Sequence, residues 1–303
     1  MSFGLLTGLG AALAWGTMDI ASALASRRIG SLRVVAGSQV LSAVLLIAAI
    51  LVTGTTLPAD PGVNLLAGAL GIIGAGAYLA YFTGLRIGPI SVVSGMVAAY
   101  GGLTVVLAVV IRGETLNLLQ AGGATLATAG VILTGIAFDG SLRGIRLAGP
   151  GVVFAIVALV LFSVMTIGLA AAVEAAPWLA VITVSRIVNA IASVVAVVAV
   201  TAIRARTQPD HARAPGDDGS AGGSRRARIW ALVAVAGLLD VLGLISLVFG
   251  LDGAPTWLVG LASSFGPAIT ILVAVAFMGE RLKPIQWLGL AGILAGMVAI
   301  GLP

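Results

Sequence analysis

Ten runs of about 20 mostly apolar residues follow one another along this sequence, and they limit what it can fold into more than any other feature. A helix of about 20 residues crosses a hydrocarbon core roughly 30 Å thick. A backbone in lipid must satisfy its own hydrogen bonds, and these runs lack the alternation of barrel strands, so each run predicts a transmembrane helix. The predicted fold class is all-α integral membrane. The predicted spans are 3–25, 33–52, 64–85, 90–111, 117–137, 149–172, 178–203, 229–250, 256–277 and 284–302.

Composition excludes several classes of function. The chain is 60% hydrophobic and only 9% charged, whereas a soluble domain carries about 25% charged residues. Cysteine is absent and the single histidine, His211, lies in a polar stretch, so we expect no metal or other cofactor. There is no Walker motif for an autonomous ATP pump. The net charge of +5 does not indicate nucleic-acid binding, because the position of the basic residues along the chain explains it better.

The chain divides into two similar halves, 1–138 and 148–303. The second half is interrupted at 204–228 by a Gly-, Ser- and Pro-rich stretch that predicts a disordered linker. Because each half contains five predicted helices, an odd number, the second copy is expected to be inverted in the membrane. The sequence therefore predicts ten helices in two inverted five-helix repeats. An offset of 166 residues pairs Pro89 with Pro255, Thr104 with Thr270, Glu114 with Glu280 and Gly130 with Gly296, and an offset of 147 pairs Met18 with Met165 and Ser38 with Ser185.

The distribution of basic residues predicts an orientation. Every Lys and Arg except Arg112 and Arg186 falls in a loop that follows an odd-numbered predicted helix. By the positive-inside rule these loops are cytoplasmic. We therefore expect a multi-pass protein of the cell membrane with both termini outside.

Short motifs in both halves resemble a known superfamily. They are Ala14-Trp15-Gly16, Arg86-Ile87-Gly88-Pro89, Gly113-Glu114 and Gly279-Glu280-Arg281-Leu282. With these motifs the chain resembles the drug/metabolite transporter superfamily, specifically its ten-helix EamA-type members. The resemblance implies secondary transport by alternating access and a substrate cavity between the halves, lined by predicted helices 1, 3, 4, 6, 8 and 9. Helices 5 and 10 would be peripheral. Gln39 departs from the Arg that the family often has in helix 2.

Three charged residues lie well inside predicted spans, away from the ends, namely Asp19, Arg186 and Asp240. Each costs roughly 2.5–3.5 kcal/mol on insertion scales and so indicates a function or a partner. Asp19 shares a helix face with Trp15 and Met18, and we expect this face to line the cavity. Asp19 would then bind a cation or a proton; the alternative is a salt bridge to a neighbouring arginine.

Arg186 shares a helix face with Asn189, and this face would hold a carboxylate or phosphate of the substrate. The alternative is a structural pair between Arg186 and Asp240. Two acids and one base around one cavity suit a zwitterion, whereas an Arg186 that is neutralised by one aspartate leaves the other as a cation site. Aromatic and hydroxyl side chains would complete the walls, although membrane packing also explains them: Tyr78, Tyr81, Tyr100, Trp257, Phe265, Ser94, Ser263, Ser264 and Thr270.

Glu114 and Glu280 begin the turns before helices 5 and 10, where we expect them to cap the helices that follow. The main functional prediction is a secondary exporter of small polar metabolites, amino acids or similar zwitterions, with possible proton or ion coupling. Alternatives are an exporter of organic cations or drugs, an importer, a non-transporting subunit or sensor, and an intramembrane lipid-modifying enzyme. The enzyme is disfavoured because no predicted span contains His or Cys. These patterns leave substrate identity, direction, coupling ion and oligomeric state open.

Overall fold

A computed structural model of the chain describes residues 3–88, 90–135, 150–207, 221–266, 268–269 and 284–301. Every regular element in these ranges is an α-helix. In chain order the helices are α1 (Phe3–Ile29), α2 (Ser31–Thr53), α3 (Pro61–Ile87), α4 (Ile90–Ala98), α5 (Tyr100–Arg112), α6 (Leu118–Gly135), α7 (Pro150–Val173), α8 (Trp178–Thr207), α9 (Ala221–Gly253), α10 (Thr256–Ser263) and α11 (Pro284–Gly301).

Six of these helices, α1, α2, α3, α7, α8 and α9, are long and apolar enough to cross a membrane. Shorter apolar helices cover Met96–Arg112 and Trp287–Gly296. Large hydrophobic side chains such as Leu51 and Val52 are exposed on the outer surface, by 77% and 87%. An apolar surface of this kind is suited to lipid rather than water, so the chain is a multi-pass membrane protein.

Two predicted spans, 90–111 and 256–277, are not continuous helices in the described parts of the chain. The first breaks at Ala99, whose N–H bonds to the Met96 carbonyl three residues back, at 3.2 Å. The second breaks at Ser264, whose N–H bonds to the Leu261 carbonyl at 3.1 Å. Glycines 101 and 102 follow the first break, and Pro267 follows the second in sequence. Both residue types weaken a helix, glycine through its backbone entropy and proline through its missing N–H and its restriction of the preceding residue.

Part of the predicted disordered linker 204–228 is helical. Helix α8 continues to Thr207 and α9 begins at Ala221, so both helices extend into that stretch. Arginine and alanine dominate its two ends, and both are strong helix formers. Residues 208–220, which include His211, lie outside the described parts.

Gly113 and Glu114 form the turn after α5, and Glu114 does not have the role that was expected of it. Gly113 adopts φ +67°, which favours glycine. Helix α6 is capped by Asn117 and Gln120, each of which accepts the other's backbone N–H, at 3.0 and 2.8 Å. The prediction that Glu114 caps α6 is therefore wrong. Its carboxylate instead accepts the N–H groups of Thr256 and Trp257, at 3.2 and 3.0 Å, at the start of α10. Glu280 lies outside the described residues.

Helices α6 and α11 pack through reciprocal glycine contacts. A Cβ placed on Gly130 would lie 2.6 Å from the Gly289 carbonyl oxygen, and a Cβ placed on Gly296 would lie 2.6 Å from the Gly123 carbonyl oxygen. The offset of 166 residues relates Gly123 to Gly289 and Gly130 to Gly296. The contact between Gly130 and Gly289 is therefore repeated by their counterparts, Gly296 and Gly123. Two units that exchange the same contact in both directions are related by a two-fold axis.

The same reciprocity joins α3 with α8 and α9 with α2. Gly71 meets the backbone carbonyl of Ser185, and Gly237 meets the backbone carbonyl of Ser38. Gly71 and Gly237 are related by the offset of 166, and Ser38 and Ser185 by the offset of 147. Helix α3 of the first half therefore packs on α8 of the second half in the same way as α9 of the second half packs on α2 of the first.

Helices α1 and α7 run in opposite directions. Near the end of α1, Arg27 donates a hydrogen bond to the Gly88 carbonyl at 3.5 Å. A Cβ on the same Gly88 would lie 3.6 Å from the Cα of Gly151, which is at the beginning of α7. The end of the one helix and the start of the other therefore meet at one end of the bundle.

We expect Gly130→Leu and Gly296→Leu to lower the thermal unfolding temperature by similar amounts, because each side chain would collide with a backbone carbonyl of the facing helix. Gly122→Leu is the matched control, since a Cβ there meets no atom within 4 Å. Thermal unfolding of the detergent-purified variants measures the effect. A Gly122→Leu variant as unstable as the other two would contradict the contact-based explanation.

Candidate substrate site

A cavity of about 60 Å³ lies between the two halves. This volume holds only a few waters. Its walls come from α1, α3, α4, α5, α7, α9 and α10. These helices fall in the predicted spans 1, 3, 4, 6, 8 and 9, which are the spans that the superfamily resemblance implied. The lining residues are Trp15, Gly16, Met18, Asp19, Tyr78, Tyr81, Ser94, Val97, Ala98, Tyr100, Phe162, Met165, Thr166, Leu247, Ser263, Ser264 and Gly266.

Asp19 is the only charged residue in this lining, and it is 3% exposed. The Ser94 hydroxyl donates a hydrogen bond to its Oδ2 atom at 2.6 Å, and the Tyr81 hydroxyl donates to Ser94 at 3.2 Å. These groups come from α1, α4 and α3. Within the described ranges no basic side chain forms an ion pair with Asp19, so the salt bridge to a neighbouring arginine is not formed there.

The other two buried charges, Arg186 and Asp240, pair with each other outside the cavity. The distance from Arg186 Nη1 to Asp240 Oδ2 is 3.2 Å, and both side chains are buried. Gln39 and Ser42 donate hydrogen bonds to the same carboxylate oxygen, at 3.3 and 3.2 Å. Tyr78 donates to Asp240 Oδ1, and Arg186 donates to the Gln39 side-chain oxygen. The carboxylate is therefore neutralised and fully hydrogen-bonded.

The predicted site residues thus separate into two groups. Arg186, Asp240 and Asn189 do not line the cavity. Asn189 is 3% exposed and its side-chain oxygen accepts a hydrogen bond from Ser193 at 3.3 Å. Around the cavity the structure brings together Asp19, Trp15, Met18, Tyr78, Tyr81, Tyr100, Ser94, Ser263 and Ser264. The predicted wall residues Trp257 and Phe265 pack in a hydrophobic core cluster instead and do not line the cavity, and Thr270 lies outside the described residues.

The lining residues missed by reasoning from single helices include three on α7, namely Phe162, Met165 and Thr166. The offset of 147 residues relates them to Trp15, Met18 and Asp19 in that order. The internal repeat was thus a signal that could have found them.

Most of the other lining residues are also related in pairs by a repeat offset. The offset of 166 relates Tyr81 to Leu247, Val97 to Ser263, Ala98 to Ser264 and Tyr100 to Gly266, and all eight residues line the cavity. The cavity therefore lies where corresponding parts of the two halves meet.

A second polar cluster ties the halves together at the end of the bundle where α10 begins. Besides capping α10, Glu114 accepts a hydrogen bond from Arg112 Nε at 3.2 Å, and Arg112 also pairs with Glu174 at the end of α7. Partial burial raises the pKa of Glu114, but the hydrogen bonds from Thr256, Trp257 and Arg112 outweigh it and hold that pKa below its usual value.

The profile of the EamA-like transporter family matches residues 2–136 and again residues 149–302. The chain belongs to the EamA-like transporter family. As a member of it, the chain is a membrane transporter of the drug/metabolite transporter type, which is consistent with a bilayer setting and a small-molecule substrate.

A solved crystal structure shares the fold of this EamA-like transporter. The TM-score is 0.75 at 19% sequence identity, over 98% of this chain and 96% of the other. At that identity the likeness concerns the fold alone. No curated protein sequence matches the chain.

We expect Asp240→Asn to destabilise the EamA-like transporter by about 3–5 kcal/mol, because it leaves Arg186 buried without a counter-charge. The double variant Arg186→Gln/Asp240→Asn should regain most of that loss. Thermal unfolding of the purified variants makes the comparison, with Asp19→Asn as the control that removes no ion pair. Equal instability of the double and single variants would contradict the pairing.

We expect Glu114→Gln to cost about 0.5–2 kcal/mol at neutral pH, the usual value of a lost helix cap. Because the pKa of Glu114 is lowered by folding, its stabilisation is present above the ordinary glutamate pKa and is lost as pH falls through the lower, folded pKa. Unfolding temperatures from pH 7 to pH 3 should therefore fall further for the wild type than for Glu114→Gln. Exposed Asp252→Asn is the control, and should follow the wild type.

Proposed function

We propose that this chain is a secondary active transporter that exports small amine-bearing metabolites across the cytoplasmic membrane by alternating access, with Asp19 as the substrate-binding and coupling group. The observation that carries the proposal is Asp19 itself. It is a buried carboxylate without a described counter-charge, and it lines a cavity between the two halves. Such a charge inside a membrane protein marks a substrate or ion pathway.

Alternating access needs two halves that can exchange conformations, and we propose that 1–138 and 148–303 are inverted five-helix repeats. The reciprocal contacts of Gly130 and Gly296 support a two-fold relation. The opposite directions of α1 and α7 support an axis in the membrane plane, because an axis along the membrane normal would leave them parallel. Inverted repeats with a site at their interface are the common plan of secondary transporters.

The two breaks at Ala99 and Ser264 also support this mechanism. The offset of 166 relates Ala98, the residue before the first break, to Ser264, so the two halves are interrupted within one residue of corresponding positions. Both Ala98 and Ser264 line the cavity. Discontinuous helices at corresponding positions are a pointer to a transporter's binding site. Across the breaks, the hydroxyls of Tyr100 and Ser263 are 2.6 Å apart, which joins the two interrupted helices at the cavity wall.

The charges around the cavity favour an amine. Arg186 is neutralised by Asp240, so a zwitterion that places its carboxylate on Arg186 would have to displace a buried partner. Asp19 needs a positive charge or a proton when the cavity is dehydrated. A proton and a cationic substrate would therefore compete for one carboxylate, and this competition couples export of the cation to entry of the proton.

The ends of the bundle support an orientation with both termini outside. Arg27, Arg28 and Arg86 lie at the end where α1 and α3 finish, whereas Glu174 and Asp252 lie at the opposite end, where α7 and α9 finish. By the positive-inside rule the arginine-rich end is cytoplasmic.

We expect Asp19→Asn to abolish proton-driven uptake of labelled amines into proteoliposomes while leaving the unfolding temperature close to that of the wild type. The substitution is nearly isosteric but removes the charge that would bind either the amine or the proton. Asp252→Asn, at an exposed position, is the matched control and should retain full transport. Full gradient-driven activity in Asp19→Asn would remove Asp19 from the mechanism.

A further inference from the structure

The cavity lining has almost no hydrogen-bond donors left to offer. Each hydroxyl hydrogen is already donated within the protein: Tyr78 to Asp240, Tyr81 to Ser94, Ser94 to Asp19, Ser263 to the Gly260 carbonyl, Ser264 to the Leu261 carbonyl and Thr166 to the Phe162 carbonyl. Because the Ser263 hydrogen is used, Tyr100 is the donor in its contact with Ser263. Among the lining side chains, only Trp15 Nε1 has no acceptor in the described structure.

This inventory disfavours any substrate that carries a carboxylate or phosphate. A buried anion has to be matched by several donors or by a positive charge. The lining supplies neither, because Arg186 lies outside the cavity and Asp19 adds a repelling negative charge. A zwitterionic amino acid would therefore bind with one of its two charges unsatisfied.

Aromatic rings supply most of the remaining wall. Phe162 is their centre: its ring centroid is 5.2 Å from that of Tyr78, 6.1 Å from that of Tyr81 and 6.2 Å from that of Tyr100. Trp15 completes the set from α1. The Arg186 guanidinium already lies 5.4 Å from the ring centre of Tyr78. The rings of Trp15, Tyr81, Tyr100 and Phe162 are therefore the ones that a ligand cation would contact.

The single acid and the aromatic rings around it indicate which form of cation the cavity would bind. A primary ammonium carries three N–H groups and loses water on entry, so each needs an acceptor. Besides Asp19, the acceptors in the lining include hydroxyl oxygens, but most of the accessible wall of the cavity is apolar. An alkylated ammonium has few N–H groups or none, and its diffuse charge is attracted to ring faces while a single carboxylate balances it. One acid surrounded by rings therefore matches the alkylated form better.

We propose that the cavity selects tertiary and quaternary ammonium compounds without an anionic group, over primary amines and over zwitterions. This proposal rests on the transport function proposed above and names its substrate class. Because the cavity of about 60 Å³ is small, a compact methylated head group would need less opening of the cavity than a bulky drug.

Four compounds of similar size separate the possibilities: choline, ethanolamine, glycine betaine and 3,3-dimethylbutan-1-ol. Choline carries the trimethylammonium group, ethanolamine is its primary-amine counterpart, betaine adds a carboxylate, and the alcohol is the neutral isostere. Binding to the purified full chain is measured by calorimetry at neutral pH. We expect choline to bind at least roughly tenfold more tightly than each of the other three, since each lacks one feature that the cavity matches.

The aromatic wall is tested by Phe162→Leu and Tyr81→Phe. Phe162→Leu removes a ring but keeps an apolar side chain, and we expect it to weaken choline binding roughly threefold to thirtyfold while changing ethanolamine binding much less. Tyr81→Phe keeps the ring and should retain the preference for choline. Phe249→Leu, a ring outside the cavity, should behave as the wild type.

The outcomes distinguish the two proposals. Tighter binding of ethanolamine or betaine than of choline, lost in Asp19→Asn, would overturn the substrate class but leave the transport proposal standing. A Phe162→Leu variant that binds choline as tightly as the wild type would overturn the aromatic cage. No Asp19-dependent binding or uptake of any of these compounds would overturn the proposed function together with its substrate class.

Discussion

The pairing of Arg186 with Asp240 determines the chemistry of everything around it. Among the described residues, three charged side chains are buried within the helices, and this pair neutralises two of them. Gln39, Ser42 and Tyr78 complete the hydrogen bonds of the carboxylate, so neither charge of the pair is left for a ligand. A buried pair of this kind adds little to stability by itself. Its consequence is that the cavity is left with a single charge, which is negative.

The scaffold of the two halves is repeated, but the cavity chemistry is not. Glycine contacts recur in reciprocal pairs, because close approach of two backbones depends only on the absence of a side chain. In the lining, by contrast, the first half contributes an acid and three tyrosines, whereas the repeat-related positions of the second half hold Thr166, Leu244, Leu247 and Gly266. The repeated contacts are suited to motion between the halves, and the unmatched side chains are suited to recognition.

Sequence periodicity was sufficient for local features and insufficient for contacts between distant helices. The spacing of Trp15, Met18 and Asp19 predicted one helix face, and all three line the cavity. The pair of Arg186 and Asp240 was one of the alternatives that the sequence left open, and the structure contains it. The further partner Gln39 could not be predicted in this way, because it is 201 residues from Asp240 and no local pattern joins them. Glu114 was misassigned for the same reason: its acceptor role toward a helix in the other half depends on tertiary geometry.

Gln39 and Arg186 are related by the 147-residue offset and also touch each other, so this position meets its own counterpart. In an assembly of two identical five-helix chains, such a position would confront two copies of one side chain. Two arginines there would repel, and two glutamines would leave an acid such as Asp240 without a counter-charge. Covalent fusion of the copies removes that restriction. In the fused chain the Gln39 amide can face the Arg186 guanidinium. A symmetric homodimer cannot adopt this arrangement, because both of its copies carry the same residue at that position.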